Sequence, residues 1–283
     1  ATTLTINRGG DHTMLATNPF AGLSASLSPA VMQGYVIVMF ILVVAGTLFD
    51  VVHKGSATYF FENLRRSKSK AARRVGGGEF ASIAVQTAVV DVLASGEFCN
   101  PRRRVAHLLG MYGFVFYVLA TVVLVFNPSA GAFWAALWWI GALMICVGGY
   151  WFWFFIRVDV AAEGHSPLRI VKADLFILSL LASATLALIW ALAGGGAGVL
   201  FGLYILATTV LFAGVPWSKF AHMFFKPAAA LEKRLSKADG SAENLPTQTR
   251  DDPEQQKRHS MQLLLDAPMD MGLGIKREAP RHY

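Results

Sequence analysis

Two histidines, His107 and His222, stand where apolar runs meet clustered basic residues, and their type and placement point to chemistry. His107 begins one run in "NPRRRVAHLLGMYGFVFY"; His222 closes another in "VPWSKFAHMFFKP". An ionisable group in a membrane helix is expensive unless it faces the protein interior and finds a partner, so each is a candidate functional residue. With about 3.6 residues per turn, His107, Gly110, Phe114, Tyr117 and Thr121 share one broad helix face, and a glycine one turn from the imidazole leaves room for a flat ring. A b-type haem requires two neutral imidazoles from facing helices, a dry aliphatic and aromatic pocket, and polar groups on the water side for its propionates. His107 and His222 are therefore the expected ligands of haem iron, with Arg103, Arg104 and Lys219 placed for the propionates. Either histidine alone would as readily cap a helix or bond a carbonyl; two at the same depth favour ligation.

The elements that must position this pair are read from composition. Of 283 residues, 54% are hydrophobic and 15% charged, and the mean hydropathy is +0.47, more apolar surface than one soluble core can hide. A helical span takes about 20 apolar residues. Five stretches qualify, roughly Ala30 to Val52, Val105 to Phe126, Ala132 to Ile156, Ala173 to Ala193 and Val199 to Val215, so an all-α five-helix transmembrane bundle is expected. The first stretch is too long, too far from the N-terminus and too poor in preceding basic residues for a cleavable signal, and is kept as a span. Cys99 and Cys146 form no CxxC, which leaves redox chemistry to some other cofactor.

Topology follows from where the basic residues cluster. The first connection carries Lys54, Arg65, Arg66, Lys68, Lys70, Arg73, Arg74 and Arg102 to Arg104 against Glu62, Glu79, Asp91 and Glu97, so it is cytoplasmic. The uncharged "NPSAGA" (127 to 132) and "GGGAG" (194 to 198) then fall outside, while Arg157, Arg169 and Lys172, and the tail lysines, return inside. The result is N-out and C-in. It gives an outer-side segment 1–29, a membrane cytochrome domain 30–226 with cytoplasmic loop 53–104, and a cytoplasmic tail 227–283 for partner docking.

Within the loop, "GEFASIAVQTAVVDVLASGEF" (78 to 98) has apolar residues at helical spacing and reads as an amphipathic helix on the inner membrane surface, or equally as one packed on a partner. The cations of this loop suit anionic lipid headgroups or the docking face of an acidic redox partner. Residues 237–260 are polar and expected to be flexible, and "MQLLLDAPMDMGLGI" (261 to 275) regains the apolar character of a docking segment.

Other features carry plainer readings. The tryptophan-rich "FWAALWWIGALMICVGGYWFWFF" (133 to 155) supplies interfacial belts at its ends and packing in its middle, and Gly148 and Gly149 allow close helix contact. "RVGGGEF" (74 to 80) lacks the strand and Gly-Lys-Ser of a phosphate cradle. Asp91 and Asp174 read as helix-start or interface charges. No broken helix pairs suggest a transporter, and in a membrane chain the +7 charge does not point to nucleic acid.

"RRRVAHLLGMYGF", "KADLFILSLL" (172 to 181) and "VPWSKFAHMFFKPAAAL" (215 to 231), spanning about Arg102 to Leu231, resemble the membrane cytochrome b (gamma) subunit of respiratory nitrate reductase and its relatives of sulfur metabolism. The resemblance implies five helices, haem b between the second and fifth, and electron transfer between membrane quinone and a cytoplasmic iron–sulfur or flavin oxidoreductase. Adenylylsulfate reductase is the favoured partner. The two-haem pattern has a further histidine on each helix, but Tyr117 and Tyr204 stand at those positions, so one haem is expected, on the inner side. A quinone would then approach from the inner leaflet, with His53 as a candidate to bond its carbonyl or shuttle its proton, or else simply a surface histidine. The reading from a different class is a non-redox anchor that holds a soluble complex on the membrane.

Overall fold

In a computed structural model, the described residues are 15–53, 56–96, 98, 101–157, 168, 170–217 and 222–242. Among them all regular structure is helical. In chain order the helices are α1 (Pro29–His53), α2 (Ser56–Ser69), α3 (Gly77–Gln86), α4 (Pro101–Phe126), α5 (Ala132–Trp151), α6 (Leu175–Leu192), α7 (Val199–Ala213) and α8 (His222–Ala238). π turns continue α3 through Thr87–Leu93 and α5 through Phe152–Ile156.

Four of these, α1, α4, α5 with its π turn, and α6, are long and apolar enough to cross a membrane. The chain is a multi-pass membrane protein. α7 is as apolar but holds 15 residues, about 22 Å at 1.5 Å per residue, short of the roughly 30 Å of a hydrocarbon core. It stops where Gly214 and Pro216 follow, since proline has no N–H to continue the ladder, and the chain turns through one 3₁₀ turn, Val215–Trp217. His222 therefore does not close this helix. It opens a separate one, α8, which the sequence reading divides between the membrane domain, to residue 226, and the tail.

Two compact units divide the chain. The first comprises residues 1–45, 109–150 and 172–218. Here α4 and α5 meet backbone to backbone: a Cβ on Gly141 would sit 2.5 Å from the Tyr117 nitrogen, and one on Gly113 2.9 Å from the Gly141 carbonyl oxygen. Small residues at such crossings replace the hydrophobic drive that lipid removes. Gly149 serves the same end more mildly, against the Leu181 side chain of α6. Trp138 and Trp190 are fully buried, and Phe20, from the segment before α1, lies 5.9 and 5.4 Å from their rings. Gly195 adopts φ +68° in the turn after α6, where a side chain would meet the Pro19 carbonyl.

The second unit comprises residues 46–108, 151–171 and 219–283. In it α8 packs on α2 and on the α3–π helix. Residues 239–242 are ordered against α2, contrary to a tail flexible from residue 237: the amides of Ala72 and Arg73 donate to the Asp239 carbonyl, and the Ser67 and Ser241 hydroxyls bond at 2.9 Å. Residues 243–283, with the apolar segment 261–275, lie outside the described residues.

Candidate functional site

The second unit gathers most of the predicted site residues that the structure describes. His107 lies in the second turn of α4, exposed, with its Nδ1 hydrogen-bonded to the Ser95 hydroxyl at 3.0 Å. Ser95 is 2% exposed and has φ +50°, a conformation that costs a non-glycine residue and persists only where its surroundings hold it. The chain reverses there because the π helix ends in Ala-Ser-Gly, and Gly96 donates its N–H back to the Val90 carbonyl at 2.7 Å. The turn delivers Phe98 onto the imidazole, ring centroids 4.7 Å apart. Arg104 then ties the turn to α4, its Nε donating to the Ala94 carbonyl at 2.8 Å. The sequence reading gives Arg104 to an anionic ligand; the structure gives its Nε to the backbone. Arg103 is half-buried on the same first turn.

α8 reaches this layer from the other end of the sequence. Lys226 places its ammonium 5.5 Å from the Phe98 centroid, a cation over an aromatic face. Residue 222 lies one turn before Lys226 on the same face of α8. The side chain of His222, and all of Lys219, lie outside the described residues. Farther along α8, Arg234 forks onto Asp91 of the π turn, with Nε–Oδ2 2.5 Å and Nη2–Oδ1 2.9 Å. The Arg234 guanidinium holds the Asp91 carboxyl below the usual range, against the opposing effect of burial. Of the two readings of Asp91, helix start or interface charge, the structure shows the second: it clasps two helices.

His53, at the end of α1, is exposed and stacked on Phe49 with ring centroids 4.9 Å apart. Asp50, one turn earlier and 6% exposed, escapes the sequence reading, although an acid ending a long apolar run marks a site by default. Ser95 and Phe98 escape it too. Their signal is the Ser-Gly dipeptide after an amphipathic run, a turn mark two residues before an aromatic ring.

The first unit brings Tyr117 and Tyr204 together. Tyr117 donates its phenol O–H to the Tyr204 oxygen at 2.9 Å, and both are buried. Trp190 stacks on Tyr204 at 5.6 Å, and Trp138 lies 5.5 Å from Tyr117 while its indole N–H donates to Thr121. Side chains fill this layer. At its other end Gly110 borders open space, with nothing within 4 Å of where a Cβ would stand.

His107 has one ring nitrogen engaged by Ser95, and such a bond fixes an imidazole's tautomer and orientation, as a ligating histidine requires. Among the described residues no cluster of three or more His, Cys, Asp or Glu could hold a bare metal ion. The chain matches no family model, and neither a curated protein nor a solved structure matches it.

Proposed function

We propose that this chain is the haem b membrane subunit of a quinone-linked oxidoreductase, with His107 and His222 as axial ligands. The observation that carries this reading is the convergence on Phe98: its ring lies 4.7 Å from His107 and 5.5 Å from Lys226, one turn from residue 222. Two histidines 115 positions apart in sequence thus belong to helices that meet at one aromatic side chain. Haem b, when bound, supplies reversible one-electron transfer. Ser95 holds the His107 ring, Phe98 covers it, and Arg103 and Lys219 supply positive charge for the propionates. Tyr117 and Tyr204, bonded to each other, support a single haem.

The same reading makes α7 a fifth span. Its 15 residues and the 3₁₀ turn after it reach about 28 Å together. The basic loop and tail then face the cytoplasm, N-out and C-in. Quinone meets the inner-leaflet end of α1, where His53 and the buried Asp50 are the titratable groups. The substrate chemistry belongs to a soluble iron–sulfur or flavin partner, adenylylsulfate reductase by resemblance.

The test is a dithionite-reduced minus oxidised spectrum of the full chain in membranes. A sharp b-type α-band is expected, and His107→Ala or His222→Ala abolishes it. Ser95→Gly, which keeps the turn's backbone comfortable, retains the band but alters the low-spin EPR signal as the imidazole loses its brace. A colourless wild-type protein from haem-replete cells sinks the proposal and leaves the non-redox anchor.

A further inference from the structure

The helix from Gly77 to Leu93 packs one side on α8 and leaves apolar side chains exposed on another. Its inner side, Ile83, Thr87 and Asp91, turns to α8: Thr87 is 4% exposed and Asp91 is clasped by Arg234. Its outer side leaves Val85, Val89 and Leu93 at 64%, 51% and 51% exposure. An α-helix would rotate both rows out of line, because residues four apart gain about 40° at roughly 3.6 residues per turn. The π turn over Thr87–Leu93 is wider and reverses that drift, so Val85, Val89 and Leu93 stay in one file.

We infer that the outer row, Val85, Val89 and Leu93, lies in the headgroup layer of the bilayer that the chain spans and favours anionic lipid. One observation chooses lipid over a protein partner, and a second sets the lipid's charge. The row ends at the head of a membrane-length helix: Ala94, next to Leu93, accepts the Arg104 Nε–H from the first turn of α4, so Leu93 sits at the level where α4 begins. The residues leading into the row are basic and exposed, namely Arg65, Arg66, Lys68, Lys70, Arg73 and Arg74 against Glu62 and Glu79. Arg73 spends its charge on Glu79, and the remaining cations exceed the acids. An apolar helix face flanked by cations is the composition that anionic membrane surfaces recognise.

The experiment places a nitroxide at Val89→Cys in the full chain, with Cys99 and Cys146 changed to serine, in nanodiscs of phosphatidylglycerol and phosphatidylcholine. Lys237→Cys, on exposed α8, is the water-side control. The inference expects the label at 89 to be relaxed by oxygen and protected from a water-soluble nickel chelate, relative to 237. In pure phosphatidylcholine that protection should fall about tenfold as the cations lose their counter-charge. If residue 89 is as open to nickel as 237 in both discs, the inference is wrong. Protection from oxygen and nickel alike would mean a protein cover and would also overturn it; deleting residues 243–283 then tells whether that cover is the chain's own tail. None of these outcomes depends on haem.

Discussion

The two units solve the same problem, polar atoms out of water, with different chemistry. The first uses neutral partners: Tyr117 with Tyr204, Ser183 with Thr208, Trp138 with Thr121, and Tyr35 with Thr209 and the Ile205 carbonyl. The second uses charge and imidazole: Asp91 with Arg234, Arg104 on a carbonyl, Arg157 over Trp153, and Ser95 with His107. Desolvating an ion costs far more than desolvating a hydroxyl, so spans packed in hydrocarbon select hydroxyls and indoles. Charged and imidazole partners therefore collect in the second unit. In the first unit, close packing is the vulnerable feature.

The largest effect is accordingly expected from a methyl group. Gly141→Ala puts a Cβ 2.5 Å from the Tyr117 backbone nitrogen, where no flexible side-chain end can yield. It should cost about 3 kcal/mol, the upper end for overpacking, read by unfolding in bicelles. A loss below about 1 kcal/mol would mean that α4 and α5 do not cross through these glycines, and that the first unit is not limited by backbone contact.

A smaller and pH-dependent loss is expected in the second unit. Asp91→Asn or Arg234→Ala should each cost about 2 kcal/mol, the range for hydrogen bonds to charged groups. Because Arg234 lowers the Asp91 pKa in the folded chain, the stabilisation is present above the unfolded carboxyl pKa of about 3.9 and is lost as pH falls through the lower folded value. Wild type and Asp91→Asn should therefore converge in acid. A constant gap between them at every pH would remove the ion pair as the cause.

These differences show why sequence reading reached some elements and missed others. The apolar runs of α1, α4, α5 and α6 announce themselves by length, because hydrocarbon thickness dictates it. α8 is hidden because Pro227 interrupts its apolar pattern and its charged face resembles a solvated tail, although the run from Ala228 to Ala238 is rich in helix formers. Its stability comes from Asp91, 143 positions away, which no local pattern can signal. Positions 107 and 222 stood out because histidine is costly beside apolar runs. Ser95 did not, since a serine earns notice only once its φ and its partner are known. Nothing local in the sequence pairs Tyr117 with Tyr204, 87 positions apart; the bond between them is a fact of three-dimensional structure.

The smallest effect, and the closest test of the contrast, is a double-mutant cycle on that pair. Tyr117→Phe strands the Tyr204 oxygen without its donor, and Tyr204→Phe strands the Tyr117 O–H. The double variant removes both ends of the bond, so it should be less damaging than the two singles added together. Neutral hydrogen bonds between membrane helices are worth about 0.6 kcal/mol on average, because the unfolded chain in lipid also finds partners. Phenols ionise near pH 10 in water, so this coupling should be flat from about pH 8 down into acid, while the coupling of Asp91 with Arg234 falls once the pH drops below the unfolded carboxyl pKa of about 3.9. A tyrosine coupling that rose or fell with pH would place a titrating group within reach of the first unit's interior, and the division of labour between hydroxyls and charges would no longer hold.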